Sequence, residues 1–341
     1  MEARGEFKLT QFMQDKKIKL SVSPQPSTIY IGFNMLDPVV GGYDRRATKL
    51  RRAISIAVDI EEYISIFLNG RGIAAQGPLP PGIFGHRVGE LGMNPVVYDW
   101  INGGVQRKTI SEAKRLLADA GYADGVDQRT GKPLVLYFDA VGTGPDAKSW
   151  LNWVTKQFEK LNIQLVTRNT DYNRFQEKII EGTGQIFRWG WNADYPDPEN
   201  FFFLFYGPNS KARKQGENAV NYNNPEFNRL FREMTGLHNS VERQRIIDRM
   251  LRILRDDAPW IWGYHPKSFI VHHAWLKNVK PNMMAHNTLK YLRISSQIRK
   301  NKRNEWNQPQ VMPLFIFTGA FVLLLVIVFH LHRKRRYYKI S

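Results

Sequence analysis

Hydrophobic and polar positions change period along the first 70 residues. Residues 1–27 are polar and follow neither a helical nor a strand period, so we expect them to be irregular. The run TIYIGFNML, which begins at Thr28, alternates between two faces and predicts a β-strand. Apolar residues then recur at helical spacing from Leu50 to Phe67, and Gly70 ends this predicted helix.

The middle of the chain predicts helices and strands in alternation. Thr109 begins TISE, a capping box for the helix EAKRLLADAGY. The strand PLVLYFDA (133–140), an amphipathic helix and the strand IQLVT (163–167) follow, and this order implies a parallel pair with a right-handed crossover. The run QIFRWGW (185–191) predicts a further strand. These elements indicate a mixed α/β fold.

Three more patterns extend this prediction towards the C-terminus. Asp171, Asn224 and Ser240 each precede a helical pattern as candidate N-caps. The runs PWIWGY and SFIVHH are predicted to be two strands. The predicted α/β body therefore covers residues 28–294.

The chain ends in a segment of a different kind. Residues 311–331 carry no charged side chain apart from the titratable His330. A helix of this length spans about 30 Å, the thickness of a bilayer core. The run also lacks a polar face, which favours a transmembrane helix over a buried core helix. Residues 295–310 are predicted to be a basic linker, and residues 332–341 a basic tail.

The charge of the chain is concentrated around this apolar segment. The formal net charge is +18, and nine basic residues set against Glu305 account for eight of it: Arg299, Lys300, Lys302, Arg303, Arg333, Lys334, Arg335, Arg336 and Lys339. This position favours a membrane surface over nucleic acid as the partner. The tail carries one more basic residue than the linker, which favours a cytoplasmic C-terminus.

The sequence gives little support to catalysis. It contains no cysteine, which excludes disulfides and thiolate chemistry. Asp194, Asp197 and Glu199 resemble the paired acids of hydrolases, but the last two are expected to be turn and helix-start residues. The adjacent His272 and His273 would point to opposite faces of a strand and cannot readily chelate one ion. We therefore predict no enzyme, no metal site and no cofactor.

Five segments occur in a recognisable order. They are YIGFNMLDP, RRAISIAVD, GPLPPG, SEAKRLLADAGYADG and GWNADYPDPENF. Together they resemble the extracellular solute-binding proteins that serve oligopeptide and dipeptide ABC importers. The resemblance runs from about Thr28 to Ile294 and covers only the later part of that family's length. It implies a periplasmic-binding-protein-like lobe with a mixed sheet.

The last segment carries the ligand contact that the resemblance implies. By position in the motif, Asp194 would receive the ammonium group of a bound peptide, with Asn192 beside it. A carboxylate in a poorly hydrated cleft would also select against ligands that lack an amine. The alternative is that Asp194 is a turn residue before Tyr195.

Three neighbours of this motif are further candidates. Trp189 and Trp191 share one face of the predicted strand, where they could stack on ligand side chains or fill the core. Arg188 points to the other face, where it could meet a ligand carboxylate or lie solvated at the surface.

The combined prediction is a substrate-binding component of an ABC importer that captures peptides or similar solutes. Its partners would be the solute, the membrane subunits of the importer, and the membrane through the C-terminal helix, with no role for nucleic acid. The lobe would be periplasmic or extracellular on a single-pass membrane protein, because the family is exported. The alternative is a truncated, membrane-tethered interaction or sensory module that no longer binds solute.

Overall fold

The computed structural model describes residues 8–142, 144–282, 284 and 287–337. The chain divides into two compact units. The first comprises the chain up to His272 together with Pro281–Thr288. The second comprises His273–Lys280 together with the chain from Leu289 onward.

The strands follow one another along the chain with helices between most of them. They are β1 (Ile18–Pro24), β2 (Ser27–Phe33), β3 (Gly72–Ala74), β4 (Tyr98–Ile101), β5 (Gly104–Arg107), β6 (Val126–Asp127), β7 (Lys132–Pro133), β8 (Val135–Val141), β9 (Gln164–Thr170), β10 (Ile186–Asn192), β11 (Trp260–His273), β12 (Leu276–Lys277) and β13 (Arg293–Ile294).

The helices vary from a single turn to a long C-terminal rod. They are α1 (Gln11–Asp15), α2 (Arg45–Ala57), α3 (Ile60–Leu68), α4 (Gly89–Gly92), α5 (Ile110–Asp119), α6 (Pro145–Glu159), α7 (Tyr172–Glu181), α8 (Glu199–Phe202), α9 (Lys211–Lys214), α10 (Pro225–Thr235), α11 (Val241–Asp257), α12 (Ser296–Trp306) and α13 (Met312–Tyr337). Short 3₁₀ turns lie at Ala123–Gly125, Phe203–Phe205, Gly207–Asn209 and Leu289–Tyr291.

A mixed sheet organises the first unit. It is seven-stranded, in the order β1-β11-β2-β10-β8-β9, with β3 paired to β11. Strand β2 runs antiparallel to both β10 and β11. Strands β8 and β9 are parallel across α6, so the predicted strand–helix–strand unit is confirmed. The predicted mixed α/β fold is confirmed as well.

Each face of the sheet is covered by helices. Strand β2 alternates, so that Ile31 and Phe33 enter one core while Tyr30 enters the other. The first core includes apolar residues of α2, α3, α5 and α6, and the second includes those of α7, α10 and α11. Strand β10 lies in the middle of the sheet, between β2 and β8, and the same alternation sends its neighbouring side chains to opposite cores.

The N-terminal segment is more regular than its sequence suggests. Residues 1–27 were expected to be irregular, yet the described part contains α1, β1 and the start of β2. Strand β1 lies at the edge of the sheet, and its residues are half-buried or exposed. Because an edge strand keeps many polar side chains, its sequence shows no clear alternation of apolar and polar residues.

Two predicted boundaries also differ. The helix expected from Leu50 to Phe67 is divided, because the Asp59 side chain accepts a hydrogen bond from the Glu62 amide at 2.9 Å and caps α3. The two strands expected after α11 are the single strand β11, which contains a bulge at Gly263. A Cβ atom on Gly263 would lie 2.2 Å from the Ile29 carbonyl oxygen, so a side chain cannot fit there.

The second unit contains a short strand pair and two helices. Strands β12 and β13 pair antiparallel. The basic stretch 295–310 was expected to be a linker, but most of it forms α12, supported by an ion pair of 2.6 Å between Lys302 and Glu305. The sequence did not indicate this helix, because charged surface helices lack an apolar period. The role of the segment as a linker stays a prediction. The predicted basic tail is likewise helical as far as Tyr337.

Helix α13 is apolar over most of its length. Residues Met312–Arg335 form a helical stretch of 24 residues, and its most apolar part is not buried within the protein. By length and composition it could cross a membrane.

Candidate ligand-binding site

The candidate loop begins where β10 leaves the sheet. Asn192 is opposite Ser27 in β2, and its side-chain oxygen accepts a hydrogen bond from the Ser27 hydroxyl at 2.7 Å. The next amide, of Ala193, donates to the Pro26 carbonyl oxygen at 2.9 Å. These contacts fix the start of the loop to the neighbouring strand.

A buried asparagine then fixes the backbone at Asp194, the candidate ligand-binding carboxylate. Asn200 is 2% exposed, and its side-chain oxygen accepts from the Asp194 amide at 2.8 Å and from the Trp191 indole at 3.2 Å. The Asp194 side chain is exposed and makes no hydrogen bond or ion pair with any residue in the described part of the chain. A charged acceptor is thus held on a fixed backbone and remains available.

The other two acids of this loop are already occupied. Asp197 accepts two hydrogen bonds from Arg243, at 2.7 and 2.8 Å, and Arg243 is 4% exposed. Burial raises the pKa of Asp197, but the hydrogen bonds from Arg243 and from the Glu199 amide outweigh it and leave that pKa below its ordinary value. Glu199 begins α8 and accepts a hydrogen bond from the Tyr195 hydroxyl. Both acids have the turn and helix-start positions expected from the sequence.

The two tryptophans lie on the face of β10 that packs against the second core. Trp189 stacks on Phe175, with ring centroids 5.5 Å apart, and Trp191 meets Phe203 edge-on at 5.1 Å. Both remain half-buried, so each contributes to the core and keeps an accessible edge. A ligand contact for either ring stays a prediction.

Arg188 projects from the opposite face into an aromatic cluster. Its guanidinium lies 5.4 Å from the Tyr63 ring centroid and 5.3 Å from that of Trp150, and it donates to the Tyr264 hydroxyl at 3.0 Å. The side chain is half-buried, and a ligand contact for it stays a prediction. No acidic side chain within the described residues pairs with it. Stacking leaves the edge of the guanidinium able to bind a planar carboxylate.

Sequence reasoning missed the residues that support these candidates. Asn200 lies nine residues beyond Trp191, and no local motif marks it as the acceptor that fixes Asp194. Tyr63, Trp150 and Tyr264 come from three distant elements and meet Arg188 only through the fold. In the described ranges, no group of three or more His, Asp or Glu side chains could hold a metal ion.

Comparison with known proteins shows which family the chain is similar to. Residues 4–213 match the model of bacterial extracellular solute-binding proteins, family 5 Middle. Heme-binding protein A of Haemophilus influenzae is 28% identical over 263 residues, which is 76% of this chain and 43% of that protein. The dipeptide-binding protein of Escherichia coli is 23% identical over 268 residues, 76% of this chain and 44% of that protein. The chain thus spans less than half the length of these relatives.

Solved structures show the same fold. HbpA2 from Haemophilus parasuis superposes with a TM-score of 0.68 at 18% identity, covering 83% of this chain and 51% of that one. The periplasmic binding protein DppA from Helicobacter pylori, solved in complex with the peptide STSA, gives a TM-score of 0.63 at 19% identity over 82% of this chain and 49% of that one. The predicted resemblance is therefore confirmed, and the chain belongs to the bacterial extracellular solute-binding proteins of family 5, a family of binding proteins rather than enzymes.

Proposed function

We propose that this chain captures a peptide or similar amphoteric solute for an ABC importer, with Asp194 as the acceptor for the solute ammonium group. One observation carries the proposal: Asp194 is exposed and has no partner in the described part of the chain, although its backbone is fixed by the buried Asn200. The names of the relatives support the ligand class, because they include a dipeptide-binding protein and a protein solved with a bound peptide.

The electrostatics of Asp194 suit this role. A carboxylate and an ammonium group form a charge-assisted hydrogen bond, which is about twice as strong as a neutral one. Because Asn200 holds the Asp194 amide, little further ordering is needed when the ligand arrives. A ligand without an amine would bury this carboxylate without a partner, which costs free energy.

Arg188 supplies the complementary charge for a solute carboxylate. Arg188 donates to the Tyr264 hydroxyl, and no described acid competes for its donors. Asp194 lies six positions after Arg188, which is at most about 20 Å of extended chain. This separation is compatible with the two ends of a short peptide. Trp189 and Trp191, which share the face of β10 opposite to Arg188, and Asn192 would contact the ligand near its ammonium end.

The mechanism requires no covalent chemistry. The relatives are more than twice as long as the matched region, and we propose that a lobe corresponding to their remaining length closes over the ligand. Closure would exclude water from the Asp194 carboxylate and strengthen its contact with the ammonium group. The closed form would then dock on the membrane subunits of the importer.

Helix α13 provides the proposed anchor. Its apolar stretch is long enough to cross a bilayer and is not buried within the protein. The basic residues after it favour a cytoplasmic C-terminus, with the solute-binding unit on the external side. A helix of this kind would keep the binding protein close to its importer.

Calorimetric titration tests this function. The full chain in detergent is titrated with a mixed library of di- to pentapeptides, and the titration is repeated with Asp194→Asn. Asp124→Asn serves as the matched control, because Asp124 is also an exposed acid in a loop. We expect heat of binding for the wild type and for the control, and a loss of at least about tenfold in affinity for Asp194→Asn. A folded wild-type chain that gives no heat would favour the alternative of a tethered interaction module.

A further inference from the structure

One face of α12 carries exposed positive charge. Arg299, Lys300 and Arg303 are spaced three and four residues apart, so they project from one side of the helix. All three are exposed, and none forms an ion pair with an acid in the described ranges. Together with the neutral side chains of Ser296, Asn304 and Asn307, they line a surface cleft of about 260 Å³.

An aromatic contact at the C-terminal end of α12 holds the helix in the second unit. Trp306 packs against Trp275 and His273, with each pair of ring centroids 5.3 Å apart. His273 itself stacks on Trp275 at 4.0 Å. The rings hold the end of the helix within the second unit, while the side chains of Arg299, Lys300 and Arg303 remain exposed.

The short connection between α12 and α13 limits how far the basic face can lie from α13. Five residues connect the end of α12 at Trp306 to the start of α13 at Met312. That connection reaches at most about 20 Å even when fully extended. If α13 spans a bilayer, α12 must lie near the headgroups, where each basic side chain gains from the anionic surface potential.

We propose that the Arg299, Lys300 and Arg303 face binds the phosphate groups of anionic phospholipids in the leaflet next to the solute-binding unit. This inference rests on the proposed membrane anchor. It adds a second contact with the membrane besides α13. Charge-assisted hydrogen bonds from two guanidinium groups and one ammonium group match phosphate oxygens, while Ser296, Asn304 and Asn307 provide neutral donors.

Two other acidic partners fit this basic face less well. Nucleic acid needs a longer basic track or aromatic rings on which bases stack, and the aromatic ring of α12, Trp306, packs against Trp275. An acidic protein would need an interface of about 1,000 Å² or more, which a face of three charges beside a membrane does not offer. Both partners become outcomes of the test.

Fluorescence in lipid nanodiscs provides the test. The chain has no cysteine, so Asn304→Cys on the basic face and Asn301→Cys on another side of α12 can each carry a single environment-sensitive label. Quenching by acrylamide, which is neutral, is measured in discs of phosphatidylcholine alone and in discs with 30% phosphatidylglycerol. We expect the quenching constant at residue 304 to be about threefold lower in the anionic discs, and this protection to fade in 1 M salt, where screening acts over about 3 Å.

The matched variant removes the charge and keeps the helix. Arg299→Gln, Lys300→Gln and Arg303→Gln together should abolish the difference between the two lipids at residue 304, while residue 301 should show little difference in either background. Equal quenching in both lipids, or protection that survives in the triple variant, would overturn the proposal. Stronger protection by a DNA duplex or an acidic protein in neutral discs would also overturn it.

The same experiment distinguishes failure of α13 as a membrane anchor from failure of α12 to bind anionic lipid. A chain that elutes without lipid during disc assembly refutes the anchor, and the lipid contact with it. A chain that enters the discs but shows no dependence on anionic lipid refutes only the contact made by α12.

Discussion

The buried His265 gives the first unit a defined dependence on pH. This residue of β11 is 1% exposed, and its Nδ1 lies 3.0 Å from the Ser27 carbonyl oxygen. The pKa of His265 is lowered to about 4, mainly by burial; the hydrogen bond to Ser27 opposes this shift, and the nearby His86 adds to it. Ser27 also bonds Asn192 at the start of the candidate loop, so this histidine supports the site indirectly.

The lowered pKa of His265 determines the sign and size of its contribution to the pH dependence of the free energy of unfolding. Between pH 4 and the ordinary value of 6.5, the unfolded chain binds a proton that the folded chain does not, so stability rises with pH across this window. The full difference corresponds to about 3 kcal/mol, at about 1.4 kcal/mol for each pH unit. Above pH 6.5 the contribution is complete, and it is lost as the pH falls towards 4.

Urea unfolding of the chain, followed by tryptophan fluorescence at several values of pH from 4.5 to 7.5, measures this slope. The variant His265→Asn keeps a donor near Nδ1 but does not titrate. It should be less stable at neutral pH and should lose most of the slope between pH 4 and 6.5. Carboxylates contribute equally to both proteins, so the difference isolates the histidine. Identical slopes in the two proteins would refute the reasoning.

Three substitutions test other parts of the structure. Arg51 is fully buried and its donors reach backbone carbonyl oxygens, so Arg51→Met should lower the free energy of unfolding by about 3 kcal/mol or more in urea titrations. Gly263→Ala places a Cβ atom against the Ile29 carbonyl oxygen and should lower the midpoint of thermal unfolding by about 5 °C or more. Asn200→Ala releases the Asp194 amide and should weaken peptide binding about tenfold in calorimetry, because the loop must then be ordered on binding. An unchanged midpoint or affinity would contradict each argument in turn.

Local sequence patterns were sufficient for much of the fold. The capping box at Thr109 and the caps at Asp171, Asn224 and Ser240 all form as predicted, because a cap depends on residues within one turn. The strand QIFRWGW and the parallel pair across α6 are also where their periods place them. These signals are local, and tertiary contacts do not override them.

Other features depend on contacts that a linear pattern does not contain. The cap at Asp59 lies inside a continuous helical period, which concealed the break between α2 and α3. Strand β1 is defined by its partner in the sheet. Helix α12 is so rich in charged residues that its sequence resembles a linker. At the site, the motif located Asp194, but the role of Asn200 arises only when the loop folds back on itself.

The pairing of Asp194 with a ligand ammonium group is the central claim, and one comparison tests it most directly. The affinities of a free tripeptide and of its N-acetylated form are measured for the wild type and for Asp194→Asn. We predict that acetylation weakens binding to the wild type by about 10- to 100-fold and has little effect on the variant, because the charged pair is then already absent. An equal loss in both proteins would show that the ammonium group is bound elsewhere and would contradict the account.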